Sequence, residues 1–235
     1  MKAVVCLPTY NERDNLEAMV RALGEHKVEV LVVDDASPDG TGELADRLVA
    51  ELGYVHVLHR DRKQGLGPAY VAGFHRALAD GADLVLEMDC DFSHDPADVP
   101  RLIAAAADAD LVLGSRYVAG GGIAGWGAGR RLVSAGGSLY ARLVLGVRVH
   151  DLTGGFKCYR RGVLETIDLD AVSSRGYAFQ IETTYRALRA GFRVVEVPIS
   201  FVDRQVGQSK MSRGIFLEAI WKVPALRAAA LRGRL

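Results

Sequence analysis

The sequence lacks several features that would assign a protein to a class at once. Its three cysteines, Cys6, Cys90 and Cys158, are widely spaced and form no CxxC pair, which argues against a zinc site and against a disulfide framework. The 29 basic and 29 acidic residues balance, so no global field steers the chain towards nucleic acid or anionic lipid. Any electrostatic specialisation must therefore be local, and the cysteine usage indicates a reducing, cytoplasmic setting.

Long apolar runs and the common nucleotide-binding fingerprints are also missing. No stretch reaches the ~18 uninterrupted apolar residues that cross a bilayer, and the apolar run in MKAVVCLPTYNE is too short for a signal peptide. We therefore expect a chain that does not span a membrane by itself, although it could lie on one. The glycines of RDRKQGLGPAY fit neither GxGxxG after a first strand nor a P-loop, which disfavours a dehydrogenase and a P-loop enzyme.

The first half of the chain alternates strand-like and helix-like segments. Apolar runs such as KAVVCLP, VEVLVVDD and ADLVLEMD are separated by segments with apolar residues at helical spacing, of which NERDNLEAMVRALGE is the first. This pattern predicts an α/β fold with a mainly parallel central sheet flanked by helices. Ligands bind at the carboxyl ends of such strands. Polar residues collect there, at Pro8 to Glu12, Asp34 to Asp39, Asp89 to His94 and Ser115 to Tyr117.

The second half is richer in glycine and then amphipathic. In AGGGIAGWGAGRRLVSAGGSLYARLVLG, arginines interrupt the apolar residues, and GIFLEAIWKVPALRAAALRGRL reads as an apolar helix that Pro224 should break. Trp126 and Trp221 are either anchors at a membrane surface or ordinary core. No internal repeat or low-complexity linker occurs, so residues 1–235 are predicted to form one domain.

Two aspartates stand one residue apart in MDCDFSHDP, directly after a predicted buried strand. Side chains at i and i+2 of an extended segment point the same way, so Asp89 and Asp91 can present both carboxylates to one spot. Such like charges repel unless a cation lies between them. One interpretation is therefore a hard divalent cation that bridges the protein to a diphosphate. The alternative is a solvated turn at a strand end.

Other charged residues point to a nucleotide and to phosphate groups. In VVDDASPDGT, Asp35 can accept hydrogen bonds from a ribose diol or a base edge, while SPDG also suits a β-turn. FVDRQVGQSKM places Arg204 and Lys210 within one short segment. Like Arg116 and Arg130, these cations suit anionic phosphates. A solvated surface is the alternative for each one, but their position beside amphipathic segments favours a phosphate attached to an apolar chain.

Eight segments, in this order, resemble the motifs of one family. They are LPTYNE, VVDDASPDGT, QGLGPAY, MDCDFSHDP, GSRY, DLTGGFK, GYAFQIE and VPISFVDRQVGQSKM. From about residue 4 to about residue 213, the chain resembles the dolichyl- or polyprenyl-phosphate mannosyltransferases, which are inverting glycosyltransferases of family 2. The resemblance implies a GT-A fold with amphipathic interface helices in its second half. It also implies a nucleotide-sugar-binding half at residues 1–117, an acceptor-binding half at 118–213 and a membrane-interface helix at 214–235.

The same resemblance implies roles for individual residues. Asp89, Asp91 and Arg116 would be catalytic, and the two aspartates would hold Mg²⁺ or Mn²⁺. Ser93 stands where some relatives carry a Gln ligand and others carry Ser, which leaves the third ligand open. The residues that would bind the donor, GDP-mannose, are Pro8, Tyr10, Glu12, Val33, Asp35, Asp39, Asp89, Cys90, Asp91, Arg116, Arg204 and Lys210. Those that would bind the acceptor phosphate are Arg116, Arg130, Ser134, Arg204 and Lys210.

The chemistry implied is a single in-line displacement that converts an α-linked mannose into a β-mannosyl phosphate. The cation would act as a Lewis acid on the leaving nucleoside diphosphate. The acceptor phosphate, with a second pKa of ~6, would be a nucleophile that needs no strong general base. Positioning and charge neutralisation by Arg and Lys would supply most of the catalysis. Asp151 and Glu182 could either contact the sugar or be structural.

Three alternatives stay open at this point. The first is a polyprenyl-phosphate glucosyl- or N-acetylglucosaminyltransferase that uses a UDP-sugar. The second is a nucleotidyltransferase, although the chain lacks a glycine-rich first loop with a lysine, and the third is a non-catalytic adaptor on a membrane surface. The expected partners are GDP-mannose, polyprenyl phosphate and the cytoplasmic face of a membrane as a peripheral contact. An integral-membrane partner protein is left open, and no nucleic acid is expected.

Overall fold

The structure is a computed structural model that describes residues 1–172, 174, 176–203, 213–233 and 235. Strands and helices alternate in its first half, as predicted. The strands are β1 (Ala3–Thr9), β2 (Glu29–Asp34), β3 (Val55–His59), β4 (Leu84–Glu87) and β5 (Leu111–Ser115). The helices are α1 (Arg13–Gly24), α2 (Thr41–Glu51), α3 (Leu66–Ala79) and α4 (Val99–Ala105), with a 3₁₀ turn at Pro96–Asp98.

The second half adds shorter strands and the longest helices. Its strands are β6 (Gly122–Ala124), β7 (Lys157–Arg160), β8 (Val194–Pro198) and β9 (Ser200–Val202). Its helices are α5 (Ala128–Leu145), α6 (Arg161–Thr166), α7 (Gly176–Arg189) and α8 (Arg213–Leu231), with a 3₁₀ turn at Leu169–Ala171. The segment FRVVEVPISFVDR, an apolar run that predicts a single strand, forms the two strands β8 and β9.

The main sheet has seven strands in the order β3-β2-β1-β4-β7-β5-β8. All neighbours pair in parallel except β7, which is antiparallel to both β4 and β5. The prediction of a mainly parallel sheet flanked by helices is confirmed. Because β1, β2, β4 and β5 run in one direction, their carboxyl ends meet at one edge of the sheet. A separate two-stranded ribbon pairs β6 with β9.

The core lies in two apolar layers, one on each face of the sheet. Neighbouring residues of β1 point to opposite layers, with Cys6 in one and Leu7 in the other, as the alternation along a strand requires. All three cysteines are buried and free. Burial raises the pKa of the Cys158 thiol to about 12, so this side chain behaves as a small apolar residue.

The helix that was predicted to break at Pro224 runs through it. Val223, Leu226 and Ala230 are buried in the core layer that also contains residues of α5 and α7, and α8 packs on both helices. A proline inside a helix removes one hydrogen bond, but this apolar packing on both sides of Pro224 holds the helix together. In the described part of the chain, no helix is long and apolar enough to cross a membrane.

Candidate active site

The acidic pair lies in a loop at the carboxyl end of β4 and not on the strand itself. The strand ends at Glu87, and residues 90–94 form bends in which Phe92 has a φ of +59°. The pair therefore does not lie in an extended segment, and the prediction of an extended i and i+2 geometry is wrong. Tyr70 Oη donates to Asp89 Oδ1 at 3.5 Å, and the Ser93 N–H donates to Asp91 Oδ1 at 3.0 Å. The loop places both carboxyl groups at the edge where ligands bind.

The residues of this loop fit a hard divalent cation. Ser93 is 3% exposed, and its Oγ has no hydrogen-bond partner among the described residues. A buried oxygen without a partner costs about 1–3 kcal/mol, which a cation at this position would offset. Two carboxylates and a hydroxyl are oxygen ligands of the kind that Mg²⁺ and Mn²⁺ take. The described residues contain no group of three or more His, Cys, Asp or Glu suited to a metal, and the candidate ligands in this loop are two carboxylates and one hydroxyl.

His94 lies at the end of the same loop and supports it, since its Nδ1 accepts from the Asp89 N–H at 3.5 Å. Its ring packs 5.2 Å from that of Phe156 and 5.3 Å from that of Phe201, measured between centroids. Burial lowers the pKa of His94 to about 4, although the nearby Asp91 charge acts in the opposite direction. The imidazole is therefore neutral near pH 7.

Asp35 ties the end of β2 to the segment 60–65 that precedes α3. Its Oδ1 accepts from Arg60 Nη1 at 2.6 Å, and its Oδ2 accepts from the N–H groups of Gln64 and Gly65, both at 2.9 Å. The neighbouring Asp34 accepts from Thr9 Oγ1 at 3.0 Å. The carboxylate predicted to meet the nucleoside thus already organises the loop beside it, and its contact with a nucleoside stays a prediction.

Three other predicted donor residues lie just after the carboxyl end of β1 or just before the start of α2. The Tyr10 ring is covered by Lys63, whose Nζ is 3.7 Å from the ring centroid. Glu12 is buried, and its Oε2 accepts from Asn15 Nδ2 at 2.9 Å. Asp39 accepts from the Thr41 N–H at 3.0 Å. These residues share the edge of the sheet that also carries Asp35.

Two of the remaining predicted donor residues have side chains in the core, and a third is half-buried on β1. Val33 and Cys90 are 0% and 3% exposed and lie in the apolar layers. Pro8 is half-buried in β1, opposite Val33 of β2. Any contact of Val33 or Cys90 with a ligand would therefore involve the main chain alone. Arg204 and Lys210, which were predicted to bind phosphate, lie outside the described residues.

Arg116 follows β5 and forms a buried ion pair with Asp151. Its Nε and Nη2 each donate to one Asp151 oxygen at 2.7 Å, and its backbone N–H donates to Asp151 Oδ2 at 3.0 Å. Burial alone would raise the pKa of the Asp151 carboxyl, but the hydrogen bonds and charge of Arg116 outweigh it, so this pKa lies below its usual value. Asp151 is therefore a charged partner of Arg116. This pairing favours a structural role for Asp151 over a contact with the sugar.

The predicted acceptor residues Arg130 and Ser134 both lie on α5. Arg130 Nη1 donates to both carboxylate oxygens of Asp203, at 2.9 and 3.0 Å, and its guanidinium lies 4.0 Å from the ring centroid of Trp126. Ser134 Oγ accepts from Tyr117 Oη at 2.8 Å. The latter bond joins α5 to the segment directly after Arg116, so the structure brings Arg116 and Ser134 to the same end of the sheet.

A buried polar network beneath the acidic loop was missed by sequence reasoning. Lys157 Nζ lies 3.2 Å from Glu87 Oε1 and donates to the Gln180 carbonyl oxygen at 2.8 Å, and Tyr159 Oη donates to Glu87 Oε1 at 3.0 Å. Burial raises the pKa of Glu87 and lowers that of Lys157, and the attraction between them opposes both shifts. The available signal was Glu87, a charged residue inside the apolar run LVLEM.

The whole chain is similar to known glycosyltransferases. The family model described as glycosyl transferase family 2 matches residues 4–168. An undecaprenyl-phosphate mannosyltransferase from Micrococcus luteus is 50% identical over 241 aligned residues, which cover 100% of this chain and 99% of that protein. A polyprenol monophosphomannose synthase from Mycolicibacterium smegmatis is also 50% identical, over 100% of this chain and 89% of that protein.

Solved structures share the fold at low identity. Glucosyl-3-phosphoglycerate synthase from Mycobacterium tuberculosis, solved with Mn²⁺, UDP and glucosyl-3-phosphoglycerate, matches with a TM-score of 0.65 at 21% identity and covers 99% of this chain and 79% of that one. A mannosyltransferase from Pyrobaculum calidifontis, solved with GDP-Man and Mn²⁺, matches with a TM-score of 0.59 at 17% identity, over 99% and 74% of the two chains. The predicted GT-A fold is confirmed.

Proposed function

The chain belongs to glycosyltransferase family 2, and we propose that it transfers mannose from GDP-mannose to a polyprenyl monophosphate with inversion at the anomeric carbon. The observation that carries the proposal is the 50% identity, over the whole chain, to two proteins named for mannosyl transfer to polyprenyl phosphates. As a glycosyltransferase, the chain is neither the nucleotidyltransferase nor the non-catalytic adaptor considered from its sequence.

Asp89 and Asp91, with Ser93 as a third oxygen ligand, would hold Mg²⁺ or Mn²⁺. The bound cation would supply Lewis-acid stabilisation of the departing nucleoside diphosphate. The orphan Ser93 Oγ and the oxygen-only donor set support this assignment. The alternative that Asp89 and Asp91 merely form a solvated turn does not account for a fully buried hydroxyl without a partner.

The protein's own side chains would act mainly through position and charge. Arg116 follows β5 at the same edge of the sheet as the acidic loop, and its guanidinium plane is fixed by Asp151. A fixed cation stabilises negative charge on phosphate oxygens without reorganising during the reaction. The acceptor phosphate is already largely ionised at neutral pH, so no side chain is assigned as a general base. Arg130 and Ser134 would receive that phosphate at the start of α5.

The surface of α5 and α8 suits a lipid-borne acceptor. Leu132, Leu143 and Trp221 are 74%, 72% and 77% exposed, and Tyr140 Oη of α5 donates to the Ile220 carbonyl oxygen of α8, so the two helices lie side by side. Residues 128–148 contain four arginines and no acidic residue. An exposed apolar strip bordered by arginines fits the surface of an anionic bilayer. We propose that this strip rests on the membrane that carries the polyprenyl phosphate.

The test is transfer of radiolabel to a polyprenyl phosphate in detergent. GDP-mannose, UDP-glucose and UDP-N-acetylglucosamine are offered in parallel, with Mg²⁺, with Mn²⁺ and with EDTA. We expect a lipid product from GDP-mannose alone, and only with metal. Label from a UDP-sugar instead would overturn mannose as the sugar, and undiminished transfer in EDTA would overturn the metal.

Two variants sharpen this assay. Asp91→Asn should lower transfer at least ~100-fold, since it removes a charged ligand from the cation that stabilises the leaving group. Asp108→Asn is the matched control, because Asp108 is exposed in the turn after α4, and its activity should equal that of the wild type. Flotation with phosphatidylglycerol vesicles tests the membrane strip separately, and Leu132→Ser/Leu143→Ser should abolish flotation while transfer in detergent persists.

A further inference from the structure

Asp151 is held in place by contacts on its main chain as well as on its carboxylate. The Glu196 carboxylate accepts from the Asp151 N–H through Oε1 and from the His150 N–H through Oε2, both at 2.9 Å. Glu196 lies on β8, in register with Leu113 of β5. Arg116 follows β5, and Glu196 lies on the neighbouring strand β8. The Glu196 carboxylate therefore connects this pair of strands to the backbone of Asp151.

The same cluster continues to α5 through hydroxyl groups. Arg116 Nη2 donates to Thr153 Oγ1 at 2.9 Å, and Thr153 Oγ1 lies 3.1 Å from Ser138 Oγ of α5. Ser138 is 1% exposed, so this contact is shielded from water. The Nη2 group of Arg116 is thus held by both a carboxylate and a hydroxyl.

Stability alone does not explain such a cluster. A buried ion pair is often no more stabilising than apolar residues of the same size, because removing two charges from water is costly. What the arrangement supplies is orientation, since a bidentate carboxylate fixes the plane of the guanidinium fork. The side chain of such an arginine is already ordered, so it loses little further rotamer entropy when it binds a phosphate.

We propose that Asp151 is a positioning residue for Arg116 in the glycosyl transfer, and that Glu196 supports Asp151 from behind. Asp151 does not contact the sugar or the phosphate in this arrangement. It acts by holding the Arg116 guanidinium in the orientation that neutralises phosphate charge in the transition state. This inference rests on the proposed function, in which Arg116 meets a phosphate group.

A double-mutant cycle tests the proposal. Asp151→Asn, Arg116→Gln and the double variant are assayed for kcat and KM with GDP-mannose and polyprenyl phosphate. Asp151→Asn should lower kcat about 10- to 100-fold in the wild-type background, and less than about threefold when Arg116 is already Gln, because residues that act as a unit give strongly non-additive losses. Independent losses that multiply in the double variant would overturn the role of Asp151.

Two further variants separate positioning from folding. Glu196→Gln leaves the Asp151 carboxylate paired with Arg116 and should lower kcat by less than Asp151→Asn does. If Asp151→Asn does not fold, Glu196→Gln takes its place in the double-mutant cycle. Arg160→Gln is the control, since Arg160 Nε donates to the Ala106 and Ala109 carbonyl oxygens far from Arg116. It should lower the Tm and leave kcat unchanged. A kcat that merely follows Tm across all variants would contradict positioning.

The wild-type assay separates a failure of the proposed function from a failure of the role of Asp151. Wild-type protein that transfers no mannose would overturn the proposed function, and this inference with it. Active wild-type protein with multiplicative losses would overturn the role of Asp151 alone.

Discussion

The Glu87 carboxylate lies 3.2 Å from the Lys157 ammonium group, and both side chains are completely buried. Glu87 ends β4, two residues before Asp89, and Lys157 begins the antiparallel strand β7. A charge in this position is tolerated only with its partner, because an isolated buried charge is very unfavourable. The pair therefore joins the base of the acidic loop to the neighbouring strand.

We predict that removing either partner alone is strongly destabilising. Lys157→Met should lower the free energy of unfolding by about 3–5 kcal/mol, because it leaves the Glu87 charge buried and unpaired. Glu87→Gln/Lys157→Met should cost clearly less than the sum of the two single changes. Urea unfolding of the four proteins measures this, and strictly additive losses would contradict the ion pair.

Gly121 should be intolerant of any side chain. A Cβ at this position would lie 2.6 Å from the Ser115 carbonyl oxygen and 3.0 Å from the Arg116 carbonyl carbon, and backbone atoms cannot move aside as a flexible side chain can. Gly121→Ala should therefore shift the end of β5 and lower transfer about tenfold or more, through Arg116.

Gly162→Ala is the matched control for that substitution. A Cβ at Gly162 meets nothing within 4 Å, and alanine favours a helix such as α6 by up to ~1 kcal/mol. Its activity should be unchanged and its Tm equal or higher. Equal activity in both alanine variants would show that the close approach at Gly121 does not matter for the reaction.

Asp35→Ala should weaken binding of the nucleotide sugar through the loop at 60–65. The change removes the acceptor of the Gln64 and Gly65 N–H groups, so a bound nucleotide would have to order this loop itself. Each cost of about 1.4 kcal/mol on binding corresponds to tenfold in affinity. We expect KM for GDP-mannose to rise about tenfold or more with a smaller effect on kcat. Asp46→Ala, which removes only an exposed pair with His59, should leave KM unchanged.

The stability of the protein should fall in acid partly through Asp151. The folded protein holds the pKa of this carboxyl below its ordinary value of 3.8, so its contribution is fully present above pH 4 or so and is lost as the pH falls through the folded-state pKa. Asp151→Asn should therefore unfold more easily at neutral pH and differ less from the wild type at about pH 3. Urea unfolding at several pH values tests this, and a difference that is constant with pH would contradict it.

Local patterns were sufficient to predict the first half of the fold and the position of the acidic loop. The short apolar runs KAVVCLP and VEVLVVDD and the helical spacing in NERDNLEAMVRALGE are properties of short segments, so they predict β1, β2 and α1 directly. Parallel strands then require their carboxyl ends to share one edge. This reasoning located the acidic loop correctly, even though its bend was not foreseen.

Elements that are very short or that depend on tertiary contacts could not be predicted from local patterns. Strand β7 has only four residues, too few to show a period, and its place between β4 and β5 depends on the rest of the sheet. The helix through Pro224 likewise depends on burial against α5 and α7, which outweighs the local preference of proline.

The sequence by itself determined the α/β class, the edge of the sheet at which the predicted ligand residues gather, and the family, because these depend on local patterns and on the order of motifs along the chain. Only the tertiary structure decided which charges meet. The pairs Asp35 with Arg60, Glu87 with Lys157, and Arg116 with Asp151 join residues that are 25, 70 and 35 positions apart. Such pairing depends on strand order and on the loss of water around each charge, which no short segment encodes.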